Sequence, residues 1–252
     1  MEKIVLLIFF IYGTIFGSFF NVVGLRVPNK TLFKQQRSYC DNCERTLTWT
    51  ELIPIGSYVI QGGRCRECRQ KISPLYPIME GLTGFLFAFT YYQVGWDHSL
   101  ILGLLLISLV IPVTVSDLVY QKIPNRILLF FTPLFVLYRL VYPLVPWWDS
   151  LFGALFAFTL VFLIILLSKG GMGMGDLKYY TLFGFIFGIP HFLLLFFLST
   201  IYGTIAGLIV IKVKKTGRKT KLAFGPYIGL AALTVFYFGD AMIQWYLQLI
   251  YS

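Results

Sequence analysis

The sequence predicts an all-α polytopic membrane protein with about eight transmembrane helices and one small hydrophilic domain. Of its 252 residues, 58% are hydrophobic and only 13% are charged, and the mean hydropathy is +0.77. A soluble domain would carry about 25% charged residues. Apolar runs of about 20 residues, the length that crosses the hydrocarbon core of a bilayer, recur along the chain.

Eight apolar segments are predicted to cross the membrane. They lie at 4–24, 78–96, 99–116, 126–144, 150–168, 177–189, 191–211 and 223–248. A tight turn at 188–191 separates the sixth from the seventh, because the uncharged stretch 179–211 is too long for one helix. The predicted domains are a first transmembrane helix at 1–25, a loop domain at 26–77 and a transmembrane domain at 78–252.

Basic residues are concentrated in four of the predicted loops. Most of the 21 lysine and arginine residues lie at 26–80, 117–126, 169–178 and 212–221. Basic loops stay in the cytoplasm, so these four are predicted to be cytoplasmic and both termini external. The net charge of +10 is spread over four loops beside the lipid bilayer, which argues against nucleic-acid binding. Arg139, inside an apolar segment, is predicted to snorkel towards an interface.

All four cysteines lie in the hydrophilic loop. Cys40 and Cys43 form one Cys-x-x-Cys pair, and Cys65 and Cys68 form a second after 21 intervening residues. Two such pairs place four thiolates at the corners of a tetrahedron, so a structural Zn²⁺ site of the zinc-ribbon type is predicted. Two disulfides or four free thiols are the alternatives, and a reducing cytoplasm disfavours disulfides. Four protein ligands leave no open coordination position, so the metal would be a scaffold.

Two aspartates lie at the ends of apolar segments on the same predicted membrane face. Asp117 follows one apolar run, and Asp176 precedes another. A carboxylate at the edge of the hydrocarbon is costly and marks a candidate functional site. Two adjacent carboxylates share a proton, so one can activate a water while the other polarises a carbonyl. The pair therefore predicts a catalytic dyad that cleaves peptides.

The residues around the aspartates leave a simpler alternative open. Aspartate is a favoured N-cap, so Asp117 could cap a helix beginning near 122–125, and Asp176 one beginning at Leu177. The glycine-rich stretch before Asp176 favours the site, because Gly173 and Gly175 would let the backbone approach an extended substrate closely.

Ordered motifs along nearly the whole chain resemble those of the type IV prepilin peptidases, the leader peptidases of pilus, type II secretion and competence systems. The motifs are Gly17-Ser18-Phe19-Phe20-Asn21-Val22 with Arg26 and Pro28, the two Cys-x-x-Cys pairs, Ile72-Ser73 with Tyr76-Pro77 and Glu80, Asp117 with Ile123-Pro124-Asn125, Gly173-Met174-Gly175-Asp176-Leu177-Lys178, and Phe224-Gly225-Pro226. The size and the basic loops resemble the competence-type enzymes of Gram-positive bacteria.

This resemblance implies a Gly-x-Gly-Asp aspartyl protease of the bacterial plasma membrane, with 78–252 as the protease domain and Asp117 and Asp176 as the catalytic pair. It implies cleavage on the cytoplasmic side, after a glycine that ends a short basic leader. Prepilin-like precursors are thus the expected partners. Many members also N-methylate the new terminal residue with S-adenosylmethionine, which would bind here in 26–80 or between helices.

Further side chains become candidate contacts once the resemblance is considered. Lys178 is predicted to bind the acidic residue near the start of mature pilins, unless it faces lipid headgroups. Glu80 would orient a partner such as Arg26 or belong to a methyl-transfer site. Four acidic residues of the loop could receive the basic leader or form a solvated surface: Asp41, Glu44, Glu51 and Glu67. Asp240, by contrast, is predicted to be structural.

Two other classes of function share part of the pattern. A transporter would use Asp117 and Asp176 as ion or proton sites, but transport carboxylates usually lie near the bilayer midplane. An assembly scaffold would bind pilin machinery without catalysis. Replacing either aspartate by asparagine would leave a scaffold working and would stop a protease.

Overall fold

Helices make up the fold of this protein, for which a computed structural model describes residues 2–32, 37–40, 42–168, 171–214 and 222–251. Asp41, Gly170 and most of the basic stretch 212–221 lie outside the described residues. The α-helices, with one short 3-10 helix at Trp49–Leu52, are α1 Glu2–Arg26, α2 Gly56–Ile60, α3 Leu75–Val94, α4 Ser99–Tyr120, α5 Asn125–Val141, α6 Asp149–Leu167, α7 Met174–Lys214 and α8 Gly225–Tyr251.

The predicted fold class is confirmed, since the described part of the chain is helical and contains no β-strand. Five helices are long and apolar enough to cross a membrane, namely α1, α4, α6, α7 and α8. Of the other two long helices, α5 has only 17 residues, and α3 includes polar side chains such as Glu80 and Thr83. The number of eight spans therefore stays a prediction.

The chain divides into two compact units, Met1–Val115 and Ser116–Ser252. In the first unit, α1 packs against α3 through small residues. A Cβ atom added to Gly13 would lie 2.7 Å from the Cα atom of Gly84, and one added to Gly17 would lie 2.9 Å from the Cα atom of Glu80. Glycine at these positions lets the two helix backbones approach closely, as in other membrane helix pairs. The predicted division at 26–77 stays a prediction.

In the second unit, α6 packs against α7 even more tightly. A Cβ atom on Gly153 would overlap the carbonyl oxygen of Gly184, and a Cβ atom on Gly184 would overlap the carbonyl oxygen of Gly153. The helix α8 also packs against α7, and His191 of α7 pairs with Asp240 of α8 at 2.9 Å. Asp240 thus links two helices.

The helix α7 is broken at Gly188, where the sequence predicts a turn. Gly188 has φ 72° and ψ 179°, a conformation that residues with a Cβ atom rarely adopt. A Cβ atom there would also overlap the carboxylate of Asp149. The same carboxylate accepts a hydrogen bond from the N–H of Ile189 at 3.3 Å and so caps the second half of α7.

Arg139 stabilises the break from α5. Pro190 has no N–H, so it cannot donate to the carbonyl oxygen of Ile186, four residues earlier. The Nε atom of Arg139 donates to that carbonyl oxygen at 2.8 Å instead, and a second guanidinium nitrogen joins it. Arg139 lies in the last turn of α5, so its predicted position towards a membrane interface stays a prediction, and its guanidinium is held by a freed backbone carbonyl.

Candidate active site

Asp117 is buried in the last turn of α4, only 5% exposed. Its Oδ2 atom accepts a hydrogen bond of 2.7 Å from the backbone N–H of Gly225, the first residue of α8. The first N–H groups of a helix have no partner within the helix and carry partial positive charge, so they favour a carboxylate. A Cβ atom on Gly225 would lie 2.9 Å from the same oxygen, so the contact needs glycine.

Asp176 is half-buried and is the third residue of α7. Its Oδ2 atom accepts a hydrogen bond of 3.0 Å from the N–H of Gly173, the residue before the helix. A side chain in the first turn that accepts from the preceding N–H is half of a capping box. Each aspartate is thus held by a backbone N–H at the beginning of a helix.

Both aspartates lie in the second unit, within electrostatic range of each other. The capping alternative for Asp117 is wrong, because α5 begins at Asn125 after Pro124 and Asp117 lies inside α4. The alternative for Asp176 is wrong in its position, since α7 begins at Met174, although the carboxylate does bind the N–H of the preceding residue.

The chain after α4 lies beside the glycine-rich stretch. A Cβ atom on Gly175 would lie 3.0 Å from the Cβ atom of Ile123. The Nζ atom of Lys178 donates to the Oδ1 atom of Asn125 at 3.1 Å, and the lysine side chain is exposed. The motifs around 123–125 and 173–178, distant in sequence, therefore form one surface.

Sequence reasoning missed two neighbours of the aspartates. The sequence indicates Gly225 only as part of the motif Phe224-Gly225-Pro226, and the sequence analysis does not predict Tyr179 as a site residue. Tyr179 is fully buried, and its hydroxyl has no hydrogen-bond partner among the described residues. Helical spacing could have indicated Tyr179, because positions 176, 179, 180 and 183 share one face of α7.

The four cysteines form a cluster in the first unit. Their Sγ atoms all lie within 4.8 Å of one another, with Cys40 and Cys68 at 3.6 Å and Cys43 and Cys65 at 4.0 Å. The disulfide alternative is wrong, since all four are free thiols and a disulfide would need about 2 Å. The cluster can therefore hold a metal ion.

The backbone prepares one of these thiols for that role. Hydrogen bonds from the N–H groups of Cys68 and Glu67 lower the pKa of Cys65, which favours its thiolate. Thiolates, rather than thiols, bind metal ions.

Glu51, one of the acidic residues predicted to receive a leader, lies in the interior of the loop domain. It is buried, and both of its carboxylate oxygens accept hydrogen bonds from Arg45, at 2.7 and 3.1 Å. The bonds from Arg45, with those from Thr48, lower the pKa of Glu51 to about 2. Glu44 and Glu67 are exposed.

Glu80 joins the loop domain to α3. Its carboxylate accepts a hydrogen bond of 2.8 Å from the N–H of Ile55, and the side chain of Ser18 also bonds to it. Ile55 has φ 58°, which is rare for a β-branched residue, so the bond holds a strained backbone. The expected partner, Arg26, donates to the carbonyl oxygen of Arg37.

The fold is that of a polytopic membrane protein, and Asp176 ends a Gly-x-Gly-Asp sequence at the start of one of its long helices. Residues 11–94 match the bacterial peptidase A24 N-terminal domain, and residues 104–208 match the type IV leader peptidase family. The chain belongs to the type IV leader peptidase family and is an enzyme of that family. The resemblance seen in the sequence is confirmed.

Relatives named prepilin leader peptidase/N-methyltransferase match almost the whole chain. The protein of Bacillus subtilis (strain 168) is 36% identical over 242 residues, which cover 96% of this chain and 98% of the relative. The protein of Neisseria gonorrhoeae is 31% identical over 269 residues, which cover 94% of this chain and 93% of the relative. The protein of Vibrio cholerae is 35% identical over 220 residues, 80% of this chain and 85% of the relative. No solved structure matches the chain.

Proposed function

We propose that this protein is a membrane-embedded aspartyl endopeptidase that removes the short basic leader of type IV prepilin-like precursors, with Asp117 and Asp176 as its catalytic pair. The observation that carries the proposal is that two carboxylates, each held by a backbone N–H at the start of a helix, lie on segments that contact each other through Ile123 and Gly175 and through Asn125 and Lys178. Both lie within one turn of a helix end, which fits a protease better than a transporter with carboxylates at the midplane.

The chemistry follows from a shared proton. The ionised carboxylate takes a proton from a water as the water oxygen bonds to the scissile carbonyl carbon, and the protonated carboxylate hydrogen-bonds the carbonyl oxygen. The carbonyl then re-forms, the C–N bond breaks, and the leaving amine takes a proton from the dyad. Among the described residues each aspartate uses Oδ2 for its backbone bond, so Oδ1 of each remains for water and substrate.

Several side chains are placed to bind the precursor. Gly173 and Gly175 offer backbone without side chains next to Asp176, which suits an extended peptide. Lys178 is exposed and bonded to the neutral amide of Asn125, so its charge is available to an acidic residue of the mature pilin. Glu44 and Glu67 are exposed on the loop domain, and because Glu67 forms an ion pair of 3.0 Å with Arg45, Glu44 is the better described candidate for the basic leader.

The cysteine cluster is proposed to hold a structural Zn²⁺ ion. Zn–S bonds of about 2.3 Å in a tetrahedron separate the sulfur atoms by about 3.8 Å. The distances of 3.6 Å between Cys40 and Cys68 and of 4.0 Å between Cys43 and Cys65 agree with that spacing. The ion would stabilise a loop domain that is too small for a large core of its own.

S-adenosylmethionine is proposed as a second cofactor, because the relatives are named as N-methyltransferases as well as peptidases. When bound, it would supply a methyl group to the new terminal amine. Its sulfonium and ammonium groups need acceptors. The buried Glu80 and the unpartnered Oδ1 atom of Asn21, both on the packed faces of α1 and α3, are acceptors of this kind.

The protein is proposed to lie in the bacterial plasma membrane with the active site and the cysteine cluster cytoplasmic and both termini external. The assignment of sides rests on the basic loops. Four exposed tryptophans lie at helix ends away from those loops: Trp96, Trp147, Trp148 and Trp245. Tryptophan is enriched at both membrane–water interfaces, so these residues mark the ends of membrane spans and not the side of the membrane.

Cleavage of a prepilin-like peptide by the full chain in detergent, followed by mass spectrometry, tests the proposal. The wild type is expected to release a short leader, and Asp117→Asn and Asp176→Asn are expected to leave the peptide intact. A mass gain of one methylene on the new terminus, seen only with added S-adenosylmethionine, would support the second activity. Cleavage by both variants would contradict the dyad.

A further inference from the structure

Two adjacent tyrosines of α7 differ in one respect. Tyr179 and Tyr180 follow Asp176 on the same face of the helix, and both are fully buried. The hydroxyl of Tyr180 is bonded to the Oγ atom of Ser199 at 2.6 Å. The hydroxyl of Tyr179 has no partner in the described part of the chain. Buried polar groups are nearly always hydrogen-bonded, so an exception calls for a reason.

The unpartnered hydroxyl belongs to the neighbourhood of the dyad. Tyr179 lies three residues beyond Asp176, about one helical turn, so the two side chains are neighbours on one face of α7. The ring of Phe183 lies 4.5 Å from the ring of Tyr179 and restricts its movement. A buried O–H donor that lacks an acceptor in the described part of the chain therefore lies one helical turn from Asp176.

Resting on the function proposed above, we propose that Tyr179 is a third catalytic residue, whose hydroxyl donates a hydrogen bond to the substrate oxygen that gains negative charge. The acceptor arrives with the scissile carbonyl, which is why the hydroxyl has none before. Tyr179 keeps its proton throughout. The water proton goes to the ionised aspartate and the carbonyl π electrons go to oxygen, so the balance of the dyad mechanism is unchanged.

A donor aimed at a developing oxyanion binds the transition state more strongly than the substrate. Its removal therefore lowers kcat and leaves KM nearly unchanged. The loss of one such donor costs about 100-fold in kcat. A role in packing alone would lower the thermal stability and would not separate kcat from KM.

The adjacent tyrosine provides a matched control. Tyr179→Phe and Tyr180→Phe each remove one hydroxyl from the same turn, and Tyr180→Phe breaks an observed bond whereas Tyr179→Phe breaks none. Steady-state cleavage of a prepilin-like peptide by the full chain in detergent, with thermal unfolding of each variant, is the measurement. We expect Tyr179→Phe to lose about 100-fold in kcat at unchanged KM and stability, and Tyr180→Phe to retain a kcat within a few-fold of wild type.

Three results would overturn the inference. A wild-type kcat in Tyr179→Phe, with Asp117→Asn inactive, would remove Tyr179 and leave the dyad intact. Equal losses of kcat in both phenylalanine variants, together with lower unfolding temperatures, would assign the loss to packing. Cleavage by Asp117→Asn at the wild-type rate would overturn the dyad and the role of Tyr179 together.

Discussion

The cysteine cluster and the aspartate pair each bring together side chains that are distant in sequence, yet they are held in opposite ways. In the cluster, each Cys-x-x-Cys turn is closed locally. The N–H of Glu44 donates to the carbonyl oxygen of Cys40 at 2.9 Å, and the N–H of Arg69 donates to that of Cys65 at 3.1 Å. Glu44 and Arg69, each just after a second cysteine, share a positive φ of 55° and 57°. The same turn is therefore made twice.

The aspartate pair depends instead on where distant helices end. Asp117 is held by Gly225, which lies 108 residues further along the chain. Asp176 receives its bond locally, but only the packing of α7 brings it towards Asp117. A local turn survives small movements of its surroundings, whereas a carboxylate fixed across two helices responds to changes at either one. The two regions should consequently fail in different ways when they are altered.

The largest effect is expected in the cysteine cluster. Cys65→Ser removes the most buried of the four thiols and one of the proposed Zn²⁺ ligands. Because the free energy of binding a structural Zn²⁺ ion is also folding free energy, the loop domain should lose its metal and unfold. Mass spectrometry would measure the zinc content, and limited proteolysis would measure the unfolding of 37–77. Full zinc and unchanged proteolysis in the variant would contradict the scaffold.

The second largest effect is expected at the hydrogen bond between Gly225 and Asp117, two residues that are distant in sequence. Gly225→Ala would place a Cβ atom 2.9 Å from the Oδ2 atom of Asp117 and displace the carboxylate. We expect kcat for leader cleavage to fall about 100-fold, since a misplacement of about 1 Å can cost that much. Gly207→Ala is the control, because its Cβ atom would meet only Leu222 at 3.7 Å, an ordinary contact. Equal kcat values for the two variants would show that the contact is dispensable.

A smaller effect is expected at Glu51. Glu51→Gln removes its ion pair with Arg45, and we expect the loop domain to lose about 2 kcal/mol at neutral pH. The pKa of Glu51 is lowered from an ordinary 4.5 to about 2, so its stabilisation is complete above pH 4.5 and is lost as the pH falls towards 2. Urea unfolding at several pH values would measure the difference, which should shrink in acid. A constant difference would contradict the charge-based cause.

The smallest effect is expected at Lys178. Lys178→Met removes an exposed charge, so it should weaken binding of a pilin peptide by only a few-fold. The loss should appear as a higher KM for a peptide with an acidic residue near the mature terminus and not for its neutral counterpart. Comparing both peptides at low and high salt is the measurement. Identical changes for the two peptides would contradict an electrostatic contact.

What the sequence could predict follows the same division between local and distant contacts. The helix break at Gly188 was predictable, because glycine, proline and the length of the apolar stretch all lie within a few residues. The cysteine cluster was predictable from spacing alone. The bond from Gly225 to Asp117 was not, since no local pattern indicates which helix begins beside α4.

Two further features of the structure lie outside what hydropathy can predict. The helix α4 continues beyond the predicted span 99–116, through Asp117 to Tyr120, because a helix need not end where its charged residues begin. The partner of Arg139 depends on a carbonyl that Pro190 frees in another helix. Hydropathy contains no information about such a carbonyl.

The break at Gly188 separates the first half of α7 from the rest of the helix, so a rotation at one end of this half displaces its other end. From Met174 to Phe187 this half is about 21 Å long, with Asp176 near one end and the bonds from Arg139 and Asp149 at the other. A rotation of about 5° at the end held by Arg139 would move Asp176 by about 1.5 Å, more than the misplacement of about 1 Å that can cost about 100-fold in rate. A substitution at Arg139 is therefore expected to alter the position of Asp176 from the other end of this helical segment, without changing any of the proposed catalytic groups.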